Sequence, residues 1–297
     1  MPFVPLDPKR VLKPTRKLRK LLKNMPKQPA PQQVHDLRTN TRRFEAILAA
    51  VSPEAMQKEK NLLKDLAAIR KKAGKVRDID VLTDYAAGLE ADGKDNCRVW
   101  LIEHLGAERK NDARKLHRAI TSHANSVRSG LKSASARLEK ILCANGDKKT
   151  CDPIEAMAQA TASALKLESK LFDPAHLSRN NLHPYRLKVK ELHNVLRTGV
   201  NSTHHEFVET LNSVKDSIGE WHDWEELLAT AKKELDHANC KLIRELKSTA
   251  DRKYAEALAQ AESMRKKYLQ IDRGRKSIRK KKGAPEPAWT ATRSMAA

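Results

Sequence analysis

Aromatic residues make up only 4% of this 297-residue chain, and glycine occurs 10 times. Sandwiches and barrels draw on aromatic and β-branched strands joined by glycine turns, so this composition disfavours both. No sustained run of alternating β-branched residues occurs, and essentially no strand is expected. The four cysteines, Cys97, Cys143, Cys151 and Cys240, form no CxxC pair and have no histidine at zinc-finger spacing. Scattered thiols in a reducing compartment are expected, with no disulfide framework, no metal and no cofactor. No apolar run approaches the roughly 20 residues of a membrane span. Prolines at 2, 5 and 8 leave no apolar h-region at the N-terminus, which argues against a signal peptide.

Acidic residues are also short. The chain holds 59 Lys and Arg against 37 Asp and Glu, a formal net charge of +22. Such an excess repels itself unless something compensates it. Part of it sits in two flanking segments, Lys9 to Lys27 and Arg273 to Lys282. The rest lies in helical stripes, which favours a polyanionic partner over a merely solvated basic surface. The remaining composition, rich in Ala, Leu, Lys, Arg and Glu, favours helices.

One pattern occurs twice. His35-Asp36-Leu37-Arg38-Thr39-Asn40-Thr41-Arg42 and His183-Pro184-Tyr185-Arg186-Leu187-Lys188-Val189-Lys190 both read His-x2-Arg-x3-(Arg/Lys), 148 positions apart. The apolar stripe repeats at the same offset: Leu37, Thr41, Phe44 and Leu48 correspond to Tyr185, Val189, Leu192 and Leu196. A second block repeats at an offset of 145, pairing Leu62, Leu66, Ile69, Ala73, Gly74 and Asp78 with Phe207, Leu211, Val214, Ile218, Gly219 and Asp223. The chain therefore reads as two copies of one helical unit.

Punctuation divides each unit into about four helices. In the first, a helix spans about 32–51. Ser52-Pro53-Glu54 starts the next, which is expected to break near Gly74. Asp78 then caps a third helix ending near Leu89, Ala91-Asp92-Gly93 turns, and a long helix covers about 95–142 with an interruption near Gly130. Asn145-Gly146-Asp147 marks the boundary. In the second unit, Asp152-Pro153 opens a helix ending near Leu171, the motif helix runs from about His183 to Val200, and its partner from about His204 to Ile218. Asp223 caps a further helix, and the last runs from about Asn239 to Leu269. The fold class is all-α, with antiparallel bundles. Frequent Pro and Gly breaks argue against one long coiled coil. Residues 1–30 read as a basic arm in which Pro14 to Asn24 can form a short basic helix with Leu18, Leu21 and Leu22 on one side, 31–145 and 146–271 as the two halves, and 272–297 as a basic disordered tail.

The stripes carry the chemistry. Arg186, Lys190, His193 and Arg197 are spaced 4, 3 and 4, so they share one face beside the apolar stripe of Val189, Leu192 and Leu196. In the first copy Arg38 and Arg42 hold the corresponding places, with Arg43 beside them and Glu45 at the His193 position. The second blocks add Lys75 and Arg77, matched by Glu220 and His222. Guanidinium forks and ammonium groups in rows suit repeating phosphates. His35 and His183 offer N–H donors and, when protonated near their ordinary pKa, further charge. A structural role at the helix start is open to both.

Two other functions compete. Non-specific nucleic-acid binding is the second reading, but Tyr185, Trp221 and Trp224 are the only aromatics near the motifs. A metal-dependent phosphohydrolase would use the dipeptides His35-Asp36 and His222-Asp223, or His204, His205 and Glu209. The dipeptides fall at non-equivalent places in the repeat, so duplication predicts no joint site.

The motifs resemble the CHAD domain, the conserved histidine α-helical domain family. The resemblance rests on Val34 to Phe44, on Lys75-Val76-Arg77-Asp78-Ile79-Asp80-Val81-Leu82, and on their echoes His183-x2-Arg186-x3-Lys190-x-Leu192 and Gly219-Glu220-Trp221-His222-Asp223. It covers roughly residues 30–270. It implies two pseudo-symmetric four-helix bundles around a shared basic groove or pore. It further implies non-enzymatic binding of inorganic polyphosphate and a cytoplasmic place at polyphosphate granules. By position the binding residues would be His35, Arg38, Arg42, Arg43, His183, Arg186 and Lys190. Glu45 and His193 stand where arginines are expected, and Asn194 where an aromatic is expected. Some members carry a fused triphosphatase barrel; its Glu-x-Glu-x-Lys signature is absent here.

Overall fold

The computed structural model describes residues 7–51, 57–89, 96–142, 153–197, 205–235 and 241–269. Among these, eight α-helices and one 3-10 turn occur and no strand. The helices are α1 (Pro8–Lys23), α2 (Pro31–Val51), α3 (Lys60–Ala87), α4 (Cys97–Leu142), α5 (Pro153–Ser169), α6 (Arg179–Leu196), α7 (His205–Glu234) and α8 (Lys241–Leu269). The 3-10 turn, Lys170–Phe172, follows α5. The expected signals at 52–54, 91–93, 145–147 and Asp152, the tail from 272, His204, Val200 and three of the four cysteines lie outside the described residues.

Three cores hold the helices together. The first joins α1, α2, α3 as far as Val76 and α4 from Ala113 onward, with Leu18, Leu37, Phe44, Leu66 and Leu116 fully buried. The second joins α5, α6, the first half of α7 and the second half of α8, around Tyr185, Leu192, Phe207 and Leu211. The third is shared: Ile79, Ala86, Leu101 and Leu105 from the α3/α4 hairpin meet Leu227, Leu228, Leu242 and Leu246 from α7/α8. Each long hairpin thus has its base in one bundle and its tip in a common one. At about 1.5 Å per residue the 46-residue α4 is ~70 Å long, enough to reach both. Ala50 of α2 packs in the second core, so α2 also bridges the halves.

Two helices begin earlier than the sequence suggests. The segment read as an arm contains α1, capped by Asp7, whose carboxylate accepts from Lys9 N at 2.8 Å. Its Val11, Leu12 and Leu18 face the first core while its lysines and arginines stay outside. α6 starts a turn before His183 because Asn181 folds back: its Oδ1 accepts from Ser178 N at 2.8 Å, and its Nδ2 donates to the His176 carbonyl at 2.9 Å.

The expected breaks at Gly74, Gly130 and Gly219 do not occur. α3, α4 and α7 run through them, and Asp78 and Asp223 are interior helical residues, not caps. A mid-helix glycine costs only about 1 kcal/mol relative to alanine. The buried stripe continues across it: Ile69, Ala73, Val76 and Ile79 in α3, and Val214, Ile218, Trp221 and Leu228 in α7. Gly130 answers to packing, since a Cβ there would lie 3.0 Å from Leu62 Cδ1 where α4 crosses α3.

Candidate polyanion-binding site

The motif helices α2 and α6 are neighbours, and each is backed by a long helix of its own half. Arg38 and Arg42 lie one turn apart on α2, as do Arg186 and Lys190 on α6. The two rows converge. Burial lowers the Lys190 pKa to about 7, helped by the positive fields of Arg42, Arg186, Arg38 and Lys215. Arg42 is lowered by burial and then by Arg38, Arg70 and, from the other half, Arg186. Its Nε is buried with no hydrogen-bond partner. Arg186 is likewise lowered by burial, in spite of Asp223 nearby.

The second blocks form the wall behind the rows. Arg186 Nε donates to the Lys215 carbonyl at 2.9 Å. To do so it passes over Gly219, where a Cβ would stand 2.7 Å from its Cζ and 2.9 Å from Nε. Gly219 is therefore a site of close approach. Its counterpart Gly74 is less crowded, with Arg38 Nε 3.9 Å from a Cβ. Four residues on, the carboxylates face the same arginines. Arg38 Nη1 lies 3.3 Å from Asp78 Oδ1. Asp223 is pushed up to about 6 by burial, opposed by Arg186 and reinforced by Asp78. Trp224 stacks on Tyr85 with centroids 4.6 Å apart, tying α7 to α3 beside these acids.

The histidines behave differently from the sequence expectation. His183 packs on His222 at 3.9 Å between ring centroids. Burial, then His222 and Arg186, bring its pKa to about 4. His193 is buried, and burial with Lys215 and Arg197 brings it to about 3. Both are neutral at pH 7 and add N–H donors, not charge. His35 is also lowered, by loss of solvation and then by Arg77; it keeps an exposed edge and lies 3.4 Å from Thr39 Oγ1.

Other predicted residues surround the four central cations. Arg77 faces His35 and Asp223 electrostatically. Lys75 is exposed, and Glu220 at the equivalent position pairs with Lys253 of α8 at 2.8 Å. Arg43, His193 and Arg197 line a neighbouring cleft, and burial and then Arg197 lower Arg43. Sequence reasoning missed Arg70 and Lys215. These cations occupy equivalent positions at the 145-residue offset, a signal that was present. Glu45 pairs with Arg70 of another helix at 3.2 Å and also feels Arg42. His193 takes the Glu45 position in the second half and feels Lys215 in the place of Arg70.

Among the described residues no group of three or more His, Cys, Asp or Glu converges as a metal would require. None of the described helices is long and apolar enough to cross a membrane.

Comparison with family models matches the CHAD domain over residues 15–232. The chain belongs to the CHAD domain family. A solved structure, the crystal structure of the CHAD domain from the plant Ricinus communis, superposes with a TM-score of 0.59 at 15% identity. The match covers 87% of this chain and 88% of that one, which establishes the common fold. No curated protein matches. The family match begins inside α1, in keeping with its place in the first core of this CHAD protein.

Proposed function

We propose that this CHAD domain protein binds inorganic polyphosphate, without turning it over, and associates with polyphosphate granules in the cell. The observation that carries this reading is the meeting of Arg38, Arg42, Arg186 and Lys190 from α2 and α6, where burial and then the fields of the three arginines lower the Lys190 pKa to about 7. Cations crowded and partly buried, and only partly offset by Asp78, Asp223 and Glu45, are unfavourable in the free protein. A linear chain of phosphates supplies one negative charge per unit and acceptor oxygens for every fork, so it relieves the repulsion along the whole row. Nucleic acid fits less well. Tyr185 and Trp221 are buried and Trp224 is stacked on Tyr85, so none of the three offers a face to a base.

The test is a titration at fixed salt with long polyphosphate, single-stranded DNA and duplex DNA. Arg38→Ala with Arg186→Ala should weaken polyphosphate binding far more than deleting residues 273–297. Equal losses would assign recognition to the tail. DNA of matched charge displacing polyphosphate would transfer the site to nucleic acid. Phosphate release beyond stoichiometry with Mg²⁺ or Mn²⁺ would make the protein a hydrolase.

A further inference from the structure

The cleft bounded by α1, α2, α6 and α7 lies beside the four central cations of the rows. We propose that it is a second binding site, for a small phosphate ester whose body carries hydrogen-bond donors. The cleft has a volume of about 460 Å³, within the range of small-molecule sites. None of Arg38, Arg42, Arg186 and Lys190 lines it. Arg43, which the resemblance gives to polyphosphate, and His193 and Arg197 of the α6 stripe do line it, so the cleft adjoins the rows and the Arg38→Ala control tells the two sites apart.

Three features define the chemistry. Cations reach it from three helices: Lys13 of α1, Arg43 of α2, and Arg197 just after α6. They suit a phosphate dianion at the opening. Ile47 and Leu196 supply apolar wall. Asn40 supplies an acceptor. It is 2% exposed, its Nδ2 donates to the Asp36 carbonyl at 2.7 Å, and its Oδ1 is buried with no hydrogen-bond partner. A buried amide oxygen left unpaired costs free energy that a ligand N–H or O–H would recover. Bare polyphosphate at neutral pH has no such donor. A phosphorylated sugar or nucleoside carries both groups.

The cleft is not a by-product of the duplication. At the offset of 148, Asn40, Arg43 and Ile47 correspond to Lys188, Glu191 and Val195. Lys188 is used structurally, donating to the Lys170 and Asp173 carbonyls at 3.2 and 3.0 Å. Only the first half carries the acceptor and cation together, and only there does α1 close over them.

The experiment titrates the full chain calorimetrically with ADP, glucose 6-phosphate and orthophosphate at one salt concentration. One of the two esters should bind one-to-one and about tenfold tighter than orthophosphate, the increment expected of one good hydrogen bond to a buried acceptor. The tighter ester identifies the body. Asn40→Leu should erase that advantage. Lys13→Ala with Arg197→Ala, both at exposed positions and so harmless to folding, should weaken ester binding about tenfold or more. Arg38→Ala should leave it unchanged. Three results would overturn the proposal: no saturable binding of either ester, orthophosphate binding as tightly as the esters, or Arg38→Ala weakening them as much as the cleft variants do.

Discussion

Polyphosphate binding should take up a proton through Lys190. In the free protein its pKa is about 7, depressed from 10.5 by burial and by Arg42, Arg186 and Arg38. The unliganded ammonium is therefore mostly deprotonated at pH 8. A polyanion laid along the row reverses the field and favours the charged form. If it restores the ordinary value, the complex holds about 0.9 proton more than the free protein at pH 8. The sign follows: affinity is greatest at and below pH 7 and falls as pH rises towards 10.5. Between pH 7 and 9 the ceiling on that loss is about fiftyfold, or ~2.3 kcal/mol. Stability of the free protein moves the other way. The unfolded chain keeps the Lys190 proton to higher pH, so this residue adds stability as pH rises from about 7 to 10.5. Calorimetry in buffers of different ionisation enthalpy counts the protons directly. Lys190→Arg keeps its charge at every pH in this range and should flatten the profile. A wild-type affinity that stays level from pH 7 to 9 with no proton uptake would refute the reasoning. So would a Lys190→Arg profile as steep as the wild type.

Two glycines at equivalent positions should respond differently to alanine. Gly219→Ala pushes a methyl into the Arg186 guanidinium and should weaken polyphosphate about tenfold, while helix propensity and the lost bond to Lys215 nearly cancel in stability. Gly74→Ala meets only ordinary contact and should stabilise by about 0.5–1 kcal/mol with affinity within about twofold; equal binding losses in the two would contradict the close-approach argument. Arg265 is 3% exposed and donates to the Phe172 and Pro174 carbonyls at 3.1 and 2.7 Å. Arg265→Met should lower urea stability by about 2–3 kcal/mol without changing polyphosphate affinity, and a loss under about 0.5 kcal/mol would show that those carbonyls find other partners.

The helical class was legible because it rests on composition and spacing. Arg38, Arg42, Arg186 and Lys190 fall on fixed faces of helices whose buried stripes are equally plain. Gly74 and Gly219 were misread because a lone glycine has two meanings, a helix end or a bare surface for a neighbour. Only the position of Arg186 against α7 decides between them. The same error turned Asp78 and Asp223 into caps, when they are counter-ions to the arginines. The start of α1 was missed because Pro14 reads as a helix start, although Val11 and Leu12 already extend the apolar stripe of Leu18. The neutral state of His183 and His193 could not be read from the chain at all, since it comes from burial and from cations on other helices.

The balance between repulsion and compensation in the rows makes one last consequence. Two unit charges about 8 Å apart at an effective dielectric near 20 repel by ~2 kcal/mol. Arg42 feels such repulsion from Arg38, Arg70 and Arg186, and only Glu45 offsets it. Adding KCl shortens the screening length from about 10 Å at 0.1 M to ~3 Å at 1 M. Free-protein stability should therefore rise with KCl, while polyphosphate affinity falls steeply as counterion release weakens. Opposite signs distinguish a cluster held for a ligand from one satisfied internally. Were Asp78 and Asp223 to neutralise the rows, stability would stay level or decline as those ion pairs were screened. Arg42→Met carries the argument to one residue. It removes a half-buried cation whose Nε has no partner, and its stem can be replaced by an apolar chain of similar length. That variant should be about 1 kcal/mol more stable than the wild type at low salt, with a shallower salt slope, and should bind polyphosphate less well. A destabilised Arg42→Met with the wild-type salt slope would mean that Arg42 serves the fold and not the ligand.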